Sequence, residues 1–234
     1  MRNAILGAAL ALAMLADAPA YAQDSYAGNI IVTASRADSE YFSDEQTVIG
    51  LKRRADFAAQ FVAVTSDSRD EARRRDEIYG MIENALGKAQ AAGVELVYGD
   101  YELKPITRQN YRDLVIFRGS RPDTSEIRFY VQRSLAKSTA DADKTISDFI
   151  KSVPVVGRSL MEKRGNLALT IIGPDQYRDE IIQMISAESR KYASFFGDDY
   201  GVSITGLDMQ LYWSQVSGSD VFLYIPYRFT IMPK

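Results

Sequence analysis

"FAAQFVAVTSDSRDEARRRDEIYGMIENALGKAQAAGVELVYGD", residues Phe57 to Asp100, decides the fold. From Phe57 to Thr65 the side chains alternate, with Phe57, Ala59, Phe61 and Ala63 on one face and Ala58, Gln60, Val62 and Val64 on the other. Both faces are mostly apolar, which predicts a strand covered on both sides. Ser68-Arg69-Asp70-Glu71 then has the form of a capping box. The period changes at that point. Ile78, Ile82, Ala85, Leu86 and Ala89 fall at offsets 0, 4, 7, 8 and 11, one face of a helix over Arg69–Ala92. Gly93 is the expected left-handed stop.

Downstream, Val94 to Leu103 and Asp113 to Arg118 read as strands. The order then recurs. Ser125 to Leu135 alternates, Ser138 and Thr139 are cap candidates, and Ala142, Ile146, Phe149, Ile150 and Val153 repeat the same offsets before Pro154. A third strand, Leu167–Ile172, precedes a helix over Pro174–Phe196 with Tyr177, Ile181, Met184, Ile185, Tyr192 and Phe195 inward, closing at Gly197. Two long strands end the chain, Val202–Trp213 and Val221–Met232, with a bulge expected at Gly206. The fold class is α+β: long antiparallel strands with three helices packed on one face.

Upstream, residues 1–22 read as a cleaved signal peptide. Arg2 supplies the positive region, Ala4–Ala16 the apolar one, and Ala20-Tyr21-Ala22 the small-x-small cleavage site. The apolar stretch is too short to span a bilayer, and no later segment has about 18 consecutive apolar residues. Export to the periplasm follows, with no transmembrane segment after removal of the signal. Residues 23–46 are polar and acidic and read as a flexible segment, within which Ile30–Thr33 is a candidate edge strand. Residues 47–234 form one α+β domain, with a similar order of elements in its two halves.

Composition removes whole mechanisms. The chain has no His and no Cys, which excludes Ser-His-Asp and Cys-His catalysis, the usual zinc sites and disulfides. A net charge of −3 argues against nucleic-acid binding, which needs clustered Lys and Arg. No cofactor, metal or catalytic residue is expected, and turnover would need a carboxylate, Lys or Tyr in a cleft.

Residues 50–100 resemble the first part of a SIMPL-domain protein, a family of secreted bacterial proteins. The matching features are Gly50, the strand Phe57–Thr65, Glu71-Ala72 in the helix and Gly93-Val94 before the next strand. With gaps the likeness runs over residues 47–234. Ala55-Asp56 stands where the family often has Pro-Asp, and Pro105–Asp123 aligns with nothing. The resemblance implies an exported α+β protein that self-associates, without a catalytic motif. Separately, Ile30–Arg36 (IIVTASR) resembles a mark near the mature start of TonB-dependent outer-membrane receptors. A receptor needs a barrel of many ~10-residue strands, so this match reads as incidental.

The most site-like segment is Tyr98-Gly99-Asp100-Tyr101, where aromatic rings beside a carboxylate suit sugar or peptide binding, against a plain reading as a bulged strand. Trp213 is either a rim contact or a core anchor. Glu95, Asp100 and Glu102 are candidate acid/base carboxylates. Arg73-Arg74-Arg75 with Asp70, Asp76 and Glu77 reads as a solvated helix face, Lys52-Arg53-Arg54 as another or as strand-edge protection, and Asp198-Asp199 as a loop at a helix end. The expected function is a non-catalytic envelope protein acting through protein contacts or self-assembly. The alternatives are an accessory factor of an outer-membrane receptor, docking through Ile30–Arg36, and a carboxylate-based hydrolase.

Overall fold

The computed structural model describes residues 29–32, 49–100, 102–119 and 121–234. The proposed signal with Ala20 and Ala22, most of the acidic segment and Tyr101 lie outside them. In chain order the elements are β1 (Asn29–Val32), β2 (Gly50–Arg54), β3 (Phe57–Ser66), α1 (Glu71–Ala92), β4 (Glu95–Tyr98), β5 (Glu102–Pro105) and β6 (Phe117–Arg118). There follow β7 (Ser125–Ser134), α2 (Thr139–Ser152), β8 (Ser159–Ile172), α3 (Arg178–Ser194), β9 (Tyr200–Thr205), β10 (Tyr212–Gln215), β11 (Asp220–Tyr224) and β12 (Arg228–Pro233). This is an α+β fold of antiparallel strands with three helices.

β3 is the axis of the main sheet. It pairs along its whole length with β7 on one edge and β8 on the other. The order β3-β8-β1-β5-β4-β7 returns to β3, so six strands close into a ring, and β6 extends the edge of β7. The alternation expected for β3 holds on both faces. Val62 and Val64 meet Ile78, Ile82 and Ala85 of α1 and Ile146, Phe149 and Ile150 of α2. Ala59 and Ala63 are buried on the opposite side. A second cluster joins Ile181 and Ile185 of α3 to Leu169 and Ile171 of β8 and to Trp213, Val221 and Leu223 of the small sheet β10-β11-β2.

Local chemistry sets the helix ends. Asp70, in extended geometry, accepts the Arg73 backbone N–H at 2.8 Å, and Gly93 closes α1 at φ 64°. The Arg133 guanidinium also donates to the carbonyls of Ala92 (3.2 Å) and Gly93 (2.6 Å). Ser138 caps α2 by accepting from Asp141 N–H at 3.1 Å.

Several boundaries differ from expectation. The cap of α1 is Asp70, because the Ser68 hydroxyl is drawn inward to Glu77. Val94–Leu103 is a hairpin: Gly99 turns at φ 140°, and a Cβ there would meet Glu102 O at 2.0 Å. Within Asp113–Arg118 only Phe117–Arg118 is a strand, after a single 3₁₀ turn at Tyr111–Asp113. Pro174 opens a 3₁₀ turn that leads into α3. The two final strands break together, into β9/β12 and β10/β11, where Gly206 turns at φ 90° rather than forming a bulge. Residues Asn29–Val32 are not an edge, since β1 lies between β5 and β8. On α3, Met184 and Phe195 face solvent, whereas Ser189 and Ala193 lie inward.

Ile82 is fully buried between α1 and β3, so Ile82→Ala should cost about 2–5 kcal/mol. Met184→Ala should change stability by less than about 0.5 kcal/mol. Urea denaturation of the two variants checks the pair; equal losses would mean that α1 and α3 are wrongly oriented.

Candidate functional site

The chemically richest point lies at the start of α1, inside "TSDSRDEARRRDE", residues Thr65–Glu77. Glu77 is 5% exposed. A carboxylate that far from water must be met by donors, and four groups supply them. Ser66 Oγ donates at 2.7 Å, Ser68 Oγ at 2.8 and 2.9 Å, Arg73 Nε at 3.0 Å and the Arg158 backbone N–H at 3.2 Å. Burial alone would raise the Glu77 pKa; the hydrogen bonds from Ser66, Ser68, Arg158 and Arg73 outweigh it and bring it down to about 2.

The surroundings are built to the same end. Gly157 sits at φ 57°, and a Cβ on it would lie 2.2 Å from Glu77 Oε1. Next to it, Arg158 grips Asp67 at 2.5 and 2.9 Å, and this hydrogen bond holds the Asp67 carboxyl below its usual range. Arg74, also buried, donates to the carbonyls of Ser68 (2.9 Å) and Arg69 (3.0 Å) and to Ser125 Oγ (3.1 Å). Ser66 of β3 stands opposite Ser125 of β7 and Ser159 of β8. Three strand ends are thereby fastened to one turn of helix. Arg74 and Glu77 are thus not on the solvated face expected for the Arg73–Glu77 run; Arg73 and Arg75 are exposed.

This arrangement is poorly suited to proton transfer. A general acid or base works best with a pKa near the ambient pH, and Glu77 is held ionised far below it.

Of the other candidate residues, Glu95, Tyr98, Asp100 and Glu102 share the β4–β5 hairpin, and the rest lie on other elements. Tyr98 is half-buried against the first core and Asp100 is exposed in the β4–β5 turn, where its charge adds to burial in raising the Tyr130 pKa. Trp213 is 3% exposed within the second core, away from Tyr98. Glu95 accepts from the buried Gln132 amide at 2.8 Å, in a groove of about 460 Å³ walled by Leu86, Ala89, Leu96 and Ile106. In β2, Arg53 pairs with Asp56 at 2.9 Å and stacks on Tyr177 at 4.2 Å, while Lys52 is exposed on the edge strand. Asp198 and Asp199 are exposed beyond α3. No group of acidic residues able to hold a metal occurs among the described residues, and no helix among them is long and apolar enough to cross a membrane.

One feature escaped the sequence reading. At the far end of α3, Phe195 (70%), Phe196 (60%), Met232 (43%) and Tyr200 (37%) are exposed. Tyr192 stacks on Phe229 with centroids 5.8 Å apart and planes at 10°, and Phe196 lies 5.9 Å from Tyr200. The sign was present in the adjacent pair Phe195-Phe196 just before a loop.

No protein-family model and no curated protein matches the chain. Among solved structures, the crystal structure of an uncharacterized conserved protein from Listeria innocua is similar at 10% identity, over 82% of this chain and 97% of that one, with a TM-score of 0.16. A likeness at that score carries no argument.

Ionised Glu77 stabilises the fold fully above pH 4.5, its ordinary value, and the contribution is lost as the pH falls through about 2. Glu77→Gln should therefore cost on the order of 1–3 kcal/mol at pH 7, with the gap to wild type narrowing between pH 4.5 and 2. Urea midpoints measured across that range check the sign; a gap independent of pH would show that the carboxylate is not held by these donors.

Proposed function

We propose that the chain is an exported, SIMPL-like envelope protein of the periplasm that works without catalysis, through protein–protein contact and self-assembly. The observation that carries this reading is the exposed aromatic end at Phe195, Phe196, Tyr200 and Met232, since an apolar patch left in water calls for a partner. The signal-like residues 1–22 support export.

The chemistry of the carboxylates supports the non-catalytic half. Glu77 is committed to four donors and kept ionised. Asp67 is clamped by Arg158. The receptor-accessory alternative would use Ile30–Arg36, of which Ile30 pairs with Glu102 on one side and Ile171 on the other, while Thr33–Arg36 lie outside the described residues.

Fractionation of native cells should place the protein in the periplasm with residues 1–22 removed. A panel of glycosidase, peptidase and esterase substrates should give no turnover. Turnover that disappears on changing Asp100 or Glu102 would overturn the reading in favour of a hydrolase, and a solely cytoplasmic pool would remove the envelope role.

A further inference from the structure

The main sheet opens where β4 begins. Among the described residues β4 pairs with β7 from Glu95 to Val97, but with β5 only at Val97 and Tyr98. β5 ends at Pro105, and the chain turns aside there, held by Ile106 N–H to Leu96 O at 2.8 Å. At the same level Gly93 stops α1. Between the helix end, β4 and the turn after β5 lies the groove of about 460 Å³. That volume falls within the range of small-molecule sites, about 300–1,000 Å³.

One charge faces this apolar space. Of the residues that line the groove, only Glu95 carries a formal charge. Its carboxylate is held in place. Gln132, its cross-strand partner on β7 and only 3% exposed, donates Nε2–H to Glu95 Oε2 at 2.8 Å. No ion pair among the described residues engages Glu95. Arg133, the cation beside Gly93, follows Gln132 on β7 and so points to the opposite face of the strand. Its guanidinium is taken by the carbonyls of Ala92 at 3.2 Å and Gly93 at 2.6 Å. A fixed carboxylate beside apolar walls, without a cation from the protein, suits a ligand that brings one.

We propose that this groove binds an amphiphilic organic cation, a primary alkylamine. Its ammonium group donates to the Glu95 carboxylate, and its chain lies along Leu86, Ala89, Leu96 and Ile106. Each methylene withdrawn from water adds to the affinity. A free amine fits better than a lysine side chain of another protein. From Leu86 to Gly93 the helix rises about 10 Å, which is more than lysine's four-carbon stem can cover. The site is independent of the self-association reading, so either can fail alone.

Octylammonium is the probe, followed through backbone amide shifts in heteronuclear NMR of the chain from residue 23 onward. Saturable shifts should centre on Gly93, Leu96, Ile106 and Gln132. Affinity should rise about threefold per methylene from butylammonium to octylammonium. Octylammonium should bind about tenfold tighter than octanol, and octanoate more weakly than either. Glu95→Gln, at an exposed position, should leave circular dichroism and the chain-length dependence intact while removing the preference for the amine. The proposal is overturned by an absence of saturable shifts, by equal binding of octanol and octylammonium, or by an amine preference that survives Glu95→Gln. Shifts centred on Phe195 and Phe196 would overturn it too, by assigning the alkyl chain to the aromatic end. Affinity that stops rising at butylammonium would overturn the free amine in favour of a partner protein's lysine.

Discussion

The structure depends on a buried negative charge. Glu77 sits where the ends of β3, β7 and β8 converge on the first turns of α1. Its donors come from the end of β3, from α1 and from the loop entering β8, segments up to 81 residues apart along the chain. A carboxylate in that position is costly unless every donor is in place, so it penalises arrangements in which any of the three segments is displaced. Gly157 completes the fit, because its missing side chain is the space the carboxylate occupies. The same constraint withdraws Glu77 from chemistry. A group that fastens a fold by staying ionised is a poor proton donor at neutral pH.

Much of the fold was legible because its signals are local. The two-sided alternation of β3, the offsets of Ile78, Ile82 and Ala85 in α1 and those of Ala142, Ile146 and Phe149 in α2 all correspond to buried faces. The failures came where distant partners decide. Ser68 reads as a cap on local grounds and is recruited by Glu77 instead. Ile30–Thr33 reads as an edge strand, whereas the strand formed, Asn29–Val32, lies inside the sheet between β5 and β8. The polar anchor itself was hidden by composition, since Arg-Arg-Arg-Asp-Glu looks like a solvated face. Spacing held the clue: Arg74 lies four residues before Ile78 and Glu77 four before Met81, continuing the buried stripe toward the helix start.

The molecule is thus asymmetric in how it is finished. Around Glu77 the polar groups are matched from within the chain, and the main sheet closes on itself. At the opposite extreme of the element order, β9, β12 and the end of α3 keep aromatic side chains in water, and among the described residues no third strand pairs with β9 or β12. The first half of that description accounts for stability; the second is where contact with another chain is proposed.

The fit between Glu77 and Gly157 can be measured directly, by a double-mutant cycle in urea at pH 7 with Gly157→Ala, Glu77→Ala and both together. A Cβ at position 157 would lie 2.2, 2.4 and 2.8 Å from Glu77 Oε1, Cδ and Cγ, atoms that Glu77→Ala removes. If the carboxylate fills that space, Gly157→Ala costs at least about 1 kcal/mol less in the Glu77→Ala background than in wild type. Additive losses would contradict it, and would mean that the carboxylate does not occupy the space this glycine leaves.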